Sequence, residues 1–210
     1  VFTTPGDYTV TLRTSSGCCG FSELDSFNVH VRPLPTPTVT IATLGGVPAV
    51  VCAGDTLGFQ GNAQSAGSSP TYIWRINGVT IQSGPNQPVF FPSTIVNGDI
   101  VSLALVVTND CVTNDTIFSN DIAVTVNPLP VFTAPDCQVI TAVNGEFAPG
   151  QPLQMVGNSG GNNSDYTFYW NFGNGSGAIG TSVFAVYPQS GTYTVSLSIE
   201  DANGCVSLPG

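Results

Sequence analysis

The sequence contains no lysine. Pilin-like sandwiches cross-linked through Lys–Asn isopeptide bonds need that amine, so this kind of staple is excluded. Cations of any sort are scarce. Arg13, Arg32 and Arg75 stand against thirteen carboxylates, for a net charge of −10. With no basic cluster to neutralise phosphates, nucleic acid is excluded as a partner, and an anionic membrane surface with it. No long hydrophobic run is present either. The longest, near Leu103–Val107, is far too short to span a bilayer, so no direct membrane insertion is expected.

Histidine is nearly absent. His30 alone remains, and it alternates with Phe27, Val29 and Val31, which puts it on the solvent side of a strand. No nucleophile lies near it to build a Ser-His-Asp or Cys-His site. Paired carboxylates of the glycosidase kind are the other route to catalysis. The acids, however, fall in turns, as at Asp55, Asp99, Asp110, Asp115, Asp121 and Asp201, where Asp bonds its own backbone. No catalytic residue is therefore assigned, and the chain is read as a non-enzyme. Gly157–Asp165 is glycine-rich but lacks the Lys of a phosphate loop, so it reads as a flexible surface loop.

What the sequence does have is β-sandwich composition. Thr and Val alternate in short runs, and Gly, Pro, Asn and Asp cluster between them. Hydrophobic residues make up 41%, enough to build packed cores. Six cysteines, Cys18, Cys19, Cys52, Cys111, Cys137 and Cys205, contain no CxxC pair, which argues against zinc and for disulfides in an oxidising compartment.

The organisation is repetitive. Gly6-Asp7-Tyr8-Thr9-Val10-Thr11-Leu12 precedes Cys18. Gly98-Asp99-Ile100-Val101-Ser102-Leu103 precedes Cys111, and Gly191-Thr192-Tyr193-Thr194-Val195-Ser196-Leu197 precedes Cys205. A second strand, 27–32 or 122–127, follows the first two and ends in Pro-Leu-Pro. Pro33 to Pro128 is 95 residues and Trp74 to Trp170 is 96, a period of one small sandwich domain. The expected division is 1–33, the last strands of one domain; 34–129, a complete sandwich; and 130–210, a sandwich lacking its final strand. Pro fixes its own φ and restricts its neighbour, so the linkers are stiff and a rod-like tandem array is expected. The chain reads as an internal piece of a longer one. Its orphan strand pair and incomplete last domain also admit strand donation between copies, the less favoured reading.

Strands are expected at 48–51, 56–60, 72–76, 89–91, 100–108 and 122–127, then at 138–142, 153–156, 167–172, 182–187 and 193–199. Alternation puts Tyr72, Trp74 and Ile76 on one face, and Phe168, Trp170 and Phe172 on another. Each Trp then centres a core, a burial worth about 3 kcal/mol. Position in the repeat suggests one bridge per domain, Cys52–Cys111 and Cys137–Cys205. It leaves Cys18 with a partner upstream and Cys19 unassigned. Hard oxygens near Asp110, Asn114, Asp115 and Asp201 are the one option for calcium; no ligand set is defined, and no cofactor is assigned.

Tyr169-Trp170-Asn171-Phe172-Gly173-Asn174-Gly175, with Val186-Tyr187-Pro188 and Ser190–Leu197, resembles the PKD domain pattern, WDFGDG followed by Y-x-x-x-G-x-Y-x-V-x-L. Residues 1–33 resemble the tail of another such domain. Cys52–Leu57 through Tyr72–Gly78 resembles the Ig-like repeats that alternate with PKD repeats in large surface proteins of gliding Bacteroidota-type bacteria. The resemblance implies an all-β array of tandem Ig-like and PKD sandwiches. It further implies a non-catalytic segment of an extracellular, cell-surface filament or adhesin, SprB-like and exported by a type IX route. Its partners would be neighbouring domains of the same chain, other filaments or surface glycans. The alternative is an accessory module of a secreted hydrolase, binding carbohydrate or protein. Asn171 and Asn174 stand where the pattern has carboxylates, which weakens a calcium role there. Asp55-Thr56-Leu57 and Asp115-Thr116-Ile117 resemble the O-glycosylation motif of the same bacteria, which implies Thr56 and Thr116 as sugar acceptors. Asn114, Asn162 and Asn174 begin N-x-[ST] sequons.

Overall fold

The computed structural model describes residues 1–18, 20–108, 116–132, 137–139 and 146–209. Among them the regular elements are strands, apart from two short 3-10 turns at Leu44–Gly46 and Asn163–Asp165. In chain order the strands begin with β1 (Gly6–Leu12), β2 (Ser15–Ser16), β3 (Gly20–Phe21), β4 (Asp25–Val31) and β5 (Thr38–Thr43). Next come β6 (Val50–Cys52), β7 (Phe59–Gln64), β8 (Thr71–Ile76), β9 (Val79–Pro85) and β10 (Val89–Phe90). Then follow β11 (Ile100–Val106), β12 (Thr116–Phe118), β13 (Ile122–Ala123), β14 (Thr125–Asn127) and β15 (Cys137–Val139). The last five are β16 (Pro152–Gly157), β17 (Thr167–Asn171), β18 (Gly177–Ile179), β19 (Ser182–Val186) and β20 (Ser196–Glu200). The fold of the described residues is all-β.

These elements gather in two compact units. One comprises Val1–Ile41, Gln60–Phe90 and Ser102–Asp121. In it β1 and β4 pair antiparallel along their whole length, from Gly6↔Val31 to Leu12↔Asp25. The hairpin is thinly packed, and Phe27 is 64% exposed. Elsewhere in this unit β8 buries Tyr72 and Trp74 by alternation. The Trp74 ring stacks on Phe90 at 5.3 Å, and its Nε1 donates to the Gln87 carbonyl at 3.1 Å. The Asn77-Gly78 turn, with positive φ at both residues, returns the chain into β9. That is the twist-compatible two-residue hairpin this pair of residues favours. Asn120 stands in for a strand: its side chain accepts from Ile41 N–H at 2.9 Å and donates to Ile41 C=O at 3.1 Å.

The second unit comprises Ala42–Phe59, Phe91–Val101 and Ile122–Gly210. Here β6 pairs with β14 in parallel, Cys52 opposite Asn127. Two three-stranded sheets, β15-β16-β19 and β18-β17-β20, enclose a core that includes Met155, Phe168, Trp170, Tyr187, Leu197 and Ile199. Every second residue of β16, β17, β19 and β20 points inward, the period-2 signature of a strand with one buried face. Trp170 Nε1 donates to Gly180 C=O at 2.8 Å, so the indole is buried without an orphaned donor.

The cysteine pairing differs from the expected one. Cys52 is joined to Cys205, 153 residues away, with Cα atoms 5.5 Å apart. Cys52 is therefore not bonded to Cys111, nor Cys205 to Cys137. Equivalence within a repeat shows which positions correspond, not which meet. The parallel ladder of β6 on β14, extended by Ala53 N–H bonding Asn127 C=O at 2.8 Å, carries Cys52 to the end of β14, and there it meets the buried Cys205. Cys111, Cys19 and the side chain of Cys137 lie outside the described residues, and Cys18 is exposed.

The glycine-rich stretch lies mostly at the surface, with one local anchor. Ser159 is buried, and Asn163 Oδ1 accepts from its N–H at 2.9 Å and its Oγ at 2.8 Å.

Candidate functional site

A cleft of about 590 Å³ opens at one end of the second unit's sandwich. Its apolar wall is Phe147, Leu153, Met155, Tyr187, Tyr193 and Val195. Strand alternation supplies these side chains. Leu153 and Met155 are the inward residues of β16. Tyr187 continues the inward series Val183, Ala185 of β19. Tyr193 and Val195 continue backwards the series Ile199, Leu197 of β20. The rings are in contact: Phe147 and Tyr187 centroids lie 5.3 Å apart, Tyr187 and Tyr193 4.3 Å. Both phenols are anchored, Tyr187 Oη donating to Phe172 C=O at 3.0 Å and Tyr193 Oη to Gln189 C=O at 3.2 Å. Burial, reinforced by Tyr193, raises the Tyr187 pKa above its ordinary value, so the phenol stays neutral and donating.

The rim is polar, from Gln189, Ser190, Thr192 and Glu146. Among the described residues of the lining, Glu146 is the one carboxylate. The arrangement suits an apolar, strand-like or ring-shaped guest held by packing and a few hydrogen bonds.

The cleft contains none of the site residues expected from sequence. Tyr187 and Tyr193 were legible only as strand residues of the repeat. Trp74 and Trp170 are core, 0% and 4% exposed, and offer no stacking surface. His30 lies on the exposed face of β4, its Nδ1 2.5 Å from Asp7 Oδ1 across the β1–β4 ladder, a partner not foreseen. Thr56 and Thr116 are exposed, and Leu57, next to Thr56, is buried.

The two Asn residues that replace carboxylates close turns. Asn171 Oδ1 accepts from Gly173 N–H at 3.0 Å, and Asn174 Oδ1 from Ser176 N–H at 3.0 Å. An amide oxygen satisfies these donors as a carboxylate would, without adding to the negative charge.

Asp201 is likewise a turn residue. Its carboxylate accepts from Cys205 N–H at 2.9 Å, Asn203 N–H at 2.9 Å and Asn203 Nδ2 at 3.2 Å. The bond from Cys205, foremost, holds its pKa below the ordinary 3.8. With the folded value depressed, the turn has its full strength above that ordinary value and loses it as pH falls through the folded one. The Cys205 amide resonance is thus expected to titrate only below pH 3.8; a midpoint above it would refute this role for Asp201. Asp110, Asn114 and Asp115 lie outside the described residues. Among those described, no three of His, Cys, Asp and Glu converge on a metal-sized space, and no helix is long and apolar enough to cross a membrane.

Residues 138–208, the sandwich that holds the cleft, match the PKD domain family. No curated protein matches the chain. Solved structures similar to it include the fibronectin(III)-like modules of Clostridium thermocellum CbhA, at 14% identity and TM-score 0.45, covering 81% of this chain and 90% of that one. Another is a Bacteroides ovatus mixed-linkage glucan utilization locus protein, SGBP-B, solved with a mixed-linkage heptasaccharide. It is 14% identical with TM-score 0.34, and the alignment covers 83% of this chain and 46% of that one.

Proposed function

We propose that the chain is a non-catalytic, structural or adhesive repeat segment of a long extracellular filament or adhesin at a cell surface. The observation that carries this reading is the repeat itself. A sandwich matching the PKD family at 138–208 is preceded, at a period near 95 residues, by a second sandwich sequence and by the strand pair of a third. The proposed boundaries are those of the Pro-Leu-Pro linkers, at 33–35 and 128–130. Export by a type IX route and a part in gliding or surface attachment belong to the same proposal, as does an oxidising compartment, which the disulfide favours. Sugar on Thr56 and Thr116 would show as added mass on the proteolytic peptides that contain these two residues; unmodified peptides from native material would remove it.

Negative-stain electron microscopy of native material tests the main reading. Thin beaded rods that soften under a reducing agent are expected. Compact single particles, unchanged on reduction, would overturn it in favour of an accessory module of a secreted hydrolase, binding carbohydrate or protein. The aromatic cleft is the feature that favours that second reading.

A further inference from the structure

The Cys52–Cys205 bridge spans the Pro128-Leu129-Pro130 linker. Cys52 lies in the sequence before it, and Cys205 in the PKD-matching sandwich after it. Every part concerned belongs to the second unit. Cys52 is tied to the last residue before the linker. It stands opposite Asn127 in the parallel β6–β14 ladder, and Ala53 N–H bonds Asn127 C=O at 2.8 Å. Cys205 is fixed just as firmly to the sandwich. Its N–H bonds Asp201 Oδ1 at 2.9 Å, and its C=O accepts from Asp201 N–H at 3.0 Å. Ser207 N–H then bonds Ile199 C=O at 2.8 Å, which holds the turn against β20.

The backbone makes the first connection between these two ends, and it is short. Asn127 ends β14, and Phe132 already packs against the core of the sandwich, so the join is residues 128–131. One covalent connection leaves neighbouring folded parts free to move unless a large apolar interface holds them. Proline fixes its own φ and restricts its neighbour, but rotation about the other backbone bonds of the join remains. A second connection, anchored firmly at both ends, takes that freedom away. We propose that the Cys52–Cys205 bridge is a redox-sensitive latch across the linker. Oxidised, it fixes the β6–β14 end of one repeat to the sandwich of the next. Reduced, it leaves 128–131 as a hinge. The proposal rests on the reading of 128–130 as a boundary between repeats. Bridges closed within each sandwich would leave the join free, whereas this one acts on the join itself. Opening it takes a dithiol reductant. Cys205 is fully buried and Cys52 half-buried, so the attacking thiolate bonds to the Cys52 sulfur. The Cys205 sulfur leaves as a thiolate and takes up a proton. The second thiol of the reductant then displaces Cys52 as its thiol, and the reductant departs as a disulfide, having given its electron pair to the bridge.

The test measures backbone amide residual dipolar couplings of the 210-residue chain, oxidised and after treatment with a dithiol. One set of amides covers 42–59, 91–101 and 122–127, and the other covers 151–209, all within the second unit. In the oxidised chain both sets are expected to fit one alignment tensor. After reduction the common fit is expected to be lost, each set keeping a good fit to a tensor of its own. An untreated Cys52→Ser/Cys205→Ser variant should behave as the reduced chain does, which separates this bridge from any other thiol. One common tensor in both forms would mean that packing alone holds the join, and overturns the latch. If that tensor also survives Pro128→Gly/Pro130→Gly in the reduced chain, the linker reading falls with it. Separate tensors in the oxidised chain overturn the latch as well. Collapse of the 151–209 resonances on reduction would make the bridge a staple of the sandwich itself, and the proposal fails on that outcome too.

Discussion

Removing the Cys52–Cys205 bridge is expected to cost more stability than any other single covalent change in the second unit. The bridge closes a loop of 153 residues. On the chain-entropy account the free ends of a loop that long have about 5 kcal/mol more freedom in the unfolded state than the linked ones. Denaturant unfolding of the oxidised chain and of a Cys52→Ala/Cys205→Ala variant measures the difference. A shift under about 1 kcal/mol would mean that the bridge does not constrain the unfolded chain as a link of this span should. Non-reducing peptide mapping checks the pairing directly. A fragment joining Cys52 to Cys205 is expected, and one joining Cys52 to Cys111 would contradict the structure.

Gly173→Ala is the second large effect expected. Gly173 sits at φ +72°, and a Cβ there would lie 2.3 Å from the carbonyl oxygen and 3.0 Å from the amide nitrogen of Thr194. Both are backbone atoms, so no side chain can swing aside. Left-handed backbone costs a residue with a Cβ about 1–2 kcal/mol, and overpacking about 1–3 more. Two neighbours separate these costs. Gly175→Ala, at φ +85° but with open space around it, should show the first cost alone. Gly191→Ala, whose nearest neighbour is the Tyr193 ring at 3.6 Å, should be within about 0.5 kcal/mol of wild type. Urea midpoints of the three variants give the order. Equal values for Gly173→Ala and Gly175→Ala would show that the loop moves away from Thr194.

Much of this fold was legible in the sequence because burial on one sheet face imposes a period of two. Tyr72-Ile73-Trp74 and Phe168-Tyr169-Trp170 display that period, and their inward residues are the ones buried. β5, β9, β12 and β18 were not anticipated. β9 has a readable cue in Asn77-Gly78, but its own residues, Val79–Pro85, alternate weakly. β5 alternates well at Val39 and Ile41 but follows a run of prolines that reads as linker. The cleft was not legible at all. Tyr187 and Tyr193 have the pattern of core residues, and whether a core residue ends up covered depends on which strand lies across the edge, a long-range fact. The cysteines failed in a related way, since a repeat period is local in kind and a disulfide is not.

The disulfide has a further consequence once the molecule is pulled rather than heated. A load travelling along the backbone reaches Cys52, crosses two sulfur atoms and leaves at Cys205, and everything between is slack. That slack is 153 residues, roughly 500 Å of chain at about 3.5 Å per extended residue. While the bond holds, the covalent path of the load bypasses residues 53–204, which include all those that line the cleft. The cleft therefore lies off the covalent load path, where a site in series with the load would be drawn apart.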